Sequence, residues 1–237
     1  TQLAIAGGTL TGSGDKSIAT LNLSAGALSG TGNVTLTGAG TWSAGSLNGA
    51  GTFTVNPGAT LTIADGGVKA LSGSTLNNLG TTVLSSADNV QFNEGARINS
   101  SGLFDFRSDA DLAYTSGAAP TFTNTGTLLK SGSGTTTLQN LTFNNSGALN
   151  IATGEMRLAN AAGRQTGAID VASGATPAAP GGLVLTGGSL SGAGTVTGNL
   201  TNSGATVRVD AGTLTLDLVS PYTQTARTTH VGAGATM

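Results

Sequence analysis

Apolar and polar residues alternate in short runs along this chain, and the runs recur at a nearly constant spacing. The clearest are GALSGTGNVTL from Gly26 and GSLNGAGTFTV from Gly45, which share the pattern G-x-L-x-G-x-G-x-[VF]-T-[LV] and start 19 residues apart. The pattern returns at Gly188 as GSLSGAGTVTG and in weaker form at Gly8 as GTLTGSGDKSI. Side chains of a strand alternate between its two faces, so Leu28, Val34 and Leu36 point inward while Ala27, Ser29, Thr31, Asn33 and Thr35 point outward. In the second copy Leu47, Phe53 and Val55 face in, and Ser46, Asn48, Thr52 and Thr54 face out. Gly30, Gly32, Gly49 and Gly51 fall where the chain must bend. Lys16 takes the slot of Val34 and Phe53, which predicts a turn or a slipped register in the copy from Gly8. Asn56-Pro57-Gly58 is a turn, because proline fixes φ and glycine accepts the left-handed conformation.

A second ladder runs through the middle. A glycine precedes an alternating strand at Gly58, Gly80, Gly102, Gly126, Gly147 and Gly167, in steps of 22, 22, 24, 21 and 20 residues. Ser116–Pro120 reads as an outward loop, and Thr176–Pro180, with two prolines in five residues, as a protruding loop. Glu155–Ala162 reads as an irregular strand rather than one helical turn, because its neighbours are strands. From Gly181 to Val219 the inward set is Leu183, Leu185, Leu190, Val196, Leu200, Val207, Val209, Leu214 and Leu216. Repeats of this length predict an all-β parallel β-helix, a β-solenoid, of roughly 12 coils of about 20 residues and roughly 55 Å in length. The division is a single solenoid domain over 1–219 and a strand or tail over 220–237 that joins the next coil or subunit. Neither end shows a polar cap, which predicts end-to-end self-association or continuation into a longer chain.

Composition supports this architecture. Charged residues make up 8% and aromatics 4% of the chain, with 39 glycines, which is too little bulk for a broad globular core and enough for a narrow one. A net charge of −2 without a basic patch argues against nucleic acid as a partner. Cysteine is absent, so there is no disulfide framework, and no apolar run is long enough to insert in a membrane. No signal peptide opens the chain, as expected of a mature or excised piece of a longer secreted protein.

The stretch Gly188–Leu218, with its GTLTL strand, followed by Tyr222-Thr223-Gln224-Thr225-Ala226, resembles repeats of large bacterial secreted β-helix proteins. These are the autotransporter passengers and filamentous-haemagglutinin-like adhesins. The resemblance implies a right-handed parallel β-helix, export from a Gram-negative-type cell, and a secreted or cell-surface role. The C-terminal membrane barrel and N-terminal secretion domain of those families have no counterpart in this sequence.

Candidate chemistry is sparse. Asp105, Arg107, Asp109 and Asp111 form the densest charge cluster. It reads as a solvated loop with one Asp–Arg pair, the alternative being a Ca²⁺ site or acid–base work on a sugar. His230 is the single histidine and reads as an exposed tail residue, with no second His or Cys to complete a zinc site or triad. Thr-x-Thr pairs at Thr35/Thr37, Thr52/Thr54, Thr60/Thr62, Thr121/Thr123 and Thr213/Thr215 suit exposed strands, or an ice-binding face if aligned. Asn33, Asn140 and Asn199 head Asn-x-Thr triplets, attributed to composition. The large rings, Trp42 and Phe53 among them, alternate with polar neighbours and are assigned to the core. The expectation is therefore a non-enzymatic extracellular structural or adhesive solenoid: a stalk, matrix component or filament subunit. No residue is assigned as catalytic, cofactor-binding or metal-binding, and a host surface or polysaccharide is the expected ligand. The alternatives are a carbohydrate-active or carbohydrate-binding β-helix and an ice-binding solenoid.

Overall fold

A computed structural model describes residues 1–159 and 163–237. Its 27 strands pair only in parallel, and the described residues contain no helix. Through the middle of the chain each strand bonds to the strand three places earlier and three places later. One coil therefore holds three strands, and the stack has three faces. The chain is a β-solenoid of about 11 turns spaced about 21 residues apart. At ~4.8 Å per turn it forms a rod about 53 Å long.

Face 1 is the most regular. Its rungs begin at Gln2, Thr20, Ala39, Thr60, Thr81, Leu103, Thr127, Ala148, Ala168, Ser189 and Thr206, and Thr229–Val231 lies on the last of them. Face 2 runs from Thr9–Gly12 through Gly45–Asn48, Lys69–Ser72 and Val90–Asn93 to Thr215–Leu218. Face 3 runs from Lys16–Ile18 through Val34–Leu36, Thr52–Val55, Thr75–Asn78 and Arg97–Ser100 to Thr223–Gln224. The segment after Val219 therefore adds rungs to existing faces.

The inward parity holds. Leu28, Val34, Leu36, Leu47, Phe53 and Val55 are buried in one continuous core, as are Leu183 through Leu214 of the C-terminal set. Leu216 is half-buried, and Ala27, assigned outward, is buried. Trp42 and all six phenylalanines are core. Phe143, Phe122, Phe104 and Phe106 form a chain of ring contacts with centroids 5.7, 5.3 and 4.9 Å apart. Such tilted and edge contacts suit the quadrupole of the rings.

The shared glycine pattern proves to encode a corner rather than one place in the coil. At Gly26 and Gly45 it joins a face 2 strand to a face 3 strand, whereas at Gly188 it joins face 1 to face 2. The backbone repeats regardless: φ is 73°, 81° and 69° at Gly26, Gly45 and Gly188, and 116°, 100° and 118° at Gly30, Gly49 and Gly192. These are left-handed conformations that a side chain disfavours.

Close stacking on the coil below adds to this at the corner glycines and acts alone at Gly102, Gly126, Gly147 and Gly167 of the middle ladder, whose φ is not left-handed. A Cβ at Gly102, Gly126, Gly147, Gly167 or Gly188 would drive into backbone carbonyls of the coil below. Adjacent coils touch backbone to backbone there. Its first step is 21 residues rather than 22, because Thr60 pairs with Thr81 and Gly80 therefore stacks on Ala59, not Gly58.

Three further expectations are corrected. Of the Gly-Asp-Lys piece, Ser13–Gly14 bends and Asp15 lies outside the strands, as expected, but Lys16 itself does not slip: it opens a strand and pairs with Val34, which pairs with Phe53. Thr176–Pro180 is not a loop but lies within the strand Thr176–Leu185, with Pro177 buried opposite Met156. Pairing to the following coil starts one residue later, at Ala178, so the missing proline N–H is not needed there. Asp105, read as solvated, is only 2% exposed. Glu155–Ala159 is a strand, as expected, and Asn160–Ala162 lie outside the described residues. Thr115–Ala119 form an exposed loop closed by buried Pro120.

Candidate functional site

Parallel stacking satisfies strand N–H and C=O groups, but the corners leave some without strand partners. The polar side chains of this chain largely serve them. Asx oxygens accept backbone N–H groups one coil along: Asp15 from Asn33, Asn33 from Thr52, Asn89 from Asp111, Asp111 from Thr137 and Asn144 from Arg164. Asn33 thus has a structural task, independent of its Asn-x-Thr triplet.

All three lysines of the chain work from the other side, as donors to corner carbonyls. Nζ donates from Lys16 to Gly14 O at 2.7 Å, from Lys69 to Gly67 O at 2.7 Å, and from Lys130 to Gly132 O at 2.8 Å. Lys69 also reaches Ser43 O, and Lys130 reaches Ser108 O. Lys69 and Lys130 are fully buried, and their stems fill inward slots. Burial pushes the Lys130 ammonium below its ordinary pKa, opposed by Asp109 and Asp105. At Lys69 the neighbour is Asp88, 3.5 Å away. The Gly66 N–H, then Lys69 and the Gly67 N–H, hold the Asp88 carboxyl below its usual range.

The acidic stretch singled out in the sequence sits among these corners. Asp105 Oδ2 accepts from Arg107 Nε and Oδ1 from Ser131 Oγ, both at 2.6 Å. Asp109 faces Lys130, and Asp111 caps Thr137. Each carboxylate is directed to its own partner. Among the described residues no group of three or more His, Cys, Asp or Glu side chains gathers to hold a metal ion.

The remaining candidates are dispersed. The Thr-x-Thr pairs fall on all three faces: Thr52/Thr54 and Thr121/Thr123 on face 3, Thr60/Thr62 on face 1, and Thr215 on face 2. His230 is exposed on face 1, beside Arg208 one rung below.

Sequence reading missed a second cluster. Asn150, Asp170, Ser191, Arg208 and His230 occupy the same outward position on five successive rungs of face 1. Ser191 Oγ donates to Asp170 Oδ1 at 2.9 Å. Arg208 Nε lies against both carboxylate oxygens of Asp210, 2.6 Å from Oδ2. Asp170, Ser191, Arg208 and Asp210 line a cleft of about 290 Å³ at the corner between faces 1 and 2. The available signal was outward parity at fixed register, carried by GSLSG and TVRVD, but the cluster spans 80 positions in sequence, from Asn150 to His230, and its cleft residues 40, from Asp170 to Asp210.

Comparison of the chain with protein families, curated proteins and solved structures returns no match.

Proposed function

We propose that this chain is a non-enzymatic structural or adhesive solenoid, working outside the cell as a stalk, matrix component or filament subunit. The observation that supports this reading is the register. Parallel pairing runs unbroken along face 1 from Gln2 to Val231, so backbone hydrogen bonds are laid nearly along the rod axis for its whole length. A rod built this way resists bending and pulling, as a spacer must. Its outer positions are mainly Thr, Ser and Asn, which keep the flanks hydrated. The outer edge of Gln2–Gly12 offers unpaired strand groups to an added coil, supplied by a longer chain or by the end of another copy.

Electron microscopy of the purified chain at rising concentration tests the proposal. Straight rods about 53 Å long, or filaments built from them, are expected. Round, compact particles would refute it. Incubation with neutral and acidic polysaccharides, with and without Ca²⁺, tests the non-enzymatic part. Turnover that disappears in Asp109→Asn would overturn it in favour of a carbohydrate-active β-helix.

A further inference from the structure

We infer that the cleft between the corners Ala172–Ala175 and Asp210–Leu214 is a binding site for a neutral, hydroxyl-rich saccharide. The inference rests on the adhesive reading above and names a ligand class for it.

The cleft follows from corner lengths. From face 1 to face 2 the chain takes four residues after Val171, two after Gly192, and five after Val209. A short corner is thus recessed between two longer ones. Its floor is Gly192 and Ala193, small residues of the corner pattern, and Ser173 and Asp210 belong to the walls. The walls stand two rungs apart, about 9.6 Å between backbones, a gap on the scale of one sugar ring.

The chemistry of the walls fits hydroxyl groups. Asp170 uses Oδ1 for Ser191, which leaves Oδ2 as an acceptor. Arg208 commits Nε to Asp210, and its two NH₂ groups remain donors in a fixed plane. Acceptors and planar donors facing one slot suit adjacent hydroxyls, each of which both donates and accepts. Two carboxylates against one guanidinium leave a negative balance, which selects against uronates, sulfates and phosphates.

The charges also lack another task. Elsewhere Asp15, Asp65, Asp88 and Asp111 hold backbone N–H groups of neighbouring coils, and the lysines hold carbonyls. Asp170, Arg208 and Asp210, like the Glu155–Arg157 pair, instead bond to side chains at the surface, and among these it is Asp170, Arg208 and Asp210 that line a cleft, with Arg208 and Asp210 57% and 59% exposed. An exposed ion pair adds little to stability. In a chain only 8% charged, such a group beside a cleft points to a ligand.

The test uses the full chain and saturation-transfer NMR with maltotriose, cellotriose and mannotriose as neutral probes, and trigalacturonate as the acidic one. At least one neutral trisaccharide is expected to bind, with Arg208→Ala and Asp170→Ala each weakening it tenfold or more and Arg107→Ala leaving it unchanged. Silence from all three neutral probes overturns the inference, as does equal binding by the variants or tighter binding of trigalacturonate. Should a variant lose its β circular dichroism, amide shifts of the unaltered chain decide. Changes at Ser173, Ser191 and Asp210 support the site, and changes confined elsewhere overturn it. A negative result alongside rods in the microscope removes the ligand and leaves the structural reading standing.

Discussion

At Lys130 a fully buried ammonium has exchanged water for the carbonyl oxygens of Ser108 and Gly132. Desolvation lowers its pKa from 10.5, so the folded chain gives up this proton more readily than the unfolded chain does. Stability therefore rises with pH between the lowered folded value and the unfolded 10.5, and its contribution levels off below that window. Urea midpoints taken up to pH 10.5 should show this rise, and Lys130→Met should flatten it. Glycines give a second residue-scale test. Gly167→Ala places a methyl group against the carbonyl of Gly147 and should cost ~2 kcal/mol or more, read from denaturant midpoints. Gly14→Ala meets open space and should stay within ~0.5 kcal/mol.

At the scale of the strand, face 3 carries a feature that alternation alone misassigns. Its last inward position reads Val55, Asn78, Ser100, Asn124, Asn145, Gln165, Leu185 and Asn202 along the rod. The polar members are buried. Asn124 Nδ2, its two hydrogens shared among three acceptors, donates to Asn145 Oδ1 at 2.8 Å, to the Gly126 carbonyl at its own corner and to the Ala148 carbonyl of the next coil. Asn124→Ala removes the donor to Asn145 Oδ1 and to the Ala148 carbonyl, while Gly126 O keeps the Ala148 N–H, and should cost about 1–3 kcal/mol. Gln165→Leu should cost less, about 1 kcal/mol or under, since it gives up only the 3.3 Å bond from Nε2 to the Phe143 carbonyl, relieves an Oε1 without a partner, and follows the leucine already held by the next rung. Thermal melts of the two variants separate these outcomes.

The same strands show what could be read beforehand. Inward Leu, Val and Phe positions and the repeat length follow from period-2 alternation, which burial enforces. Buried Asn78 and Lys130 escape that logic because their polarity is answered by the carbonyls of Leu103 and Ser108, 25 and 22 residues away, whose closeness only the stacked coil creates. Pro177 escaped because proline normally breaks a strand, whereas here the next coil's pairing begins just past it. The cleft was hidden for the same reason as the ladder. Asp170 and Arg208 become neighbours only after two turns of the chain.

For the whole molecule, stiffness and polarity of the flanks follow from one rule, that each coil is in register with the last. A variant that disturbs one rung without unfolding it should hinge the rod. Replacing Gly126 by Val, whose side chain meets the carbonyls of Ser101 and Gly102, should bend the particle near its middle. Small-angle scattering would report this as a shorter maximum dimension than the ~53 Å of the straight rod.

The three inward lysines have a consequence for chemical labelling. Their amines are held at the corners by carbonyl oxygens, and Lys69 and Lys130 are sealed from solvent. Reagents that acylate lysine amines should therefore leave most of the folded rod untouched, concentrating on the half-buried Lys16. Carbodiimide coupling through Asp210, or an arginine-directed dicarbonyl at Arg208, would reach the flank that amine chemistry passes over.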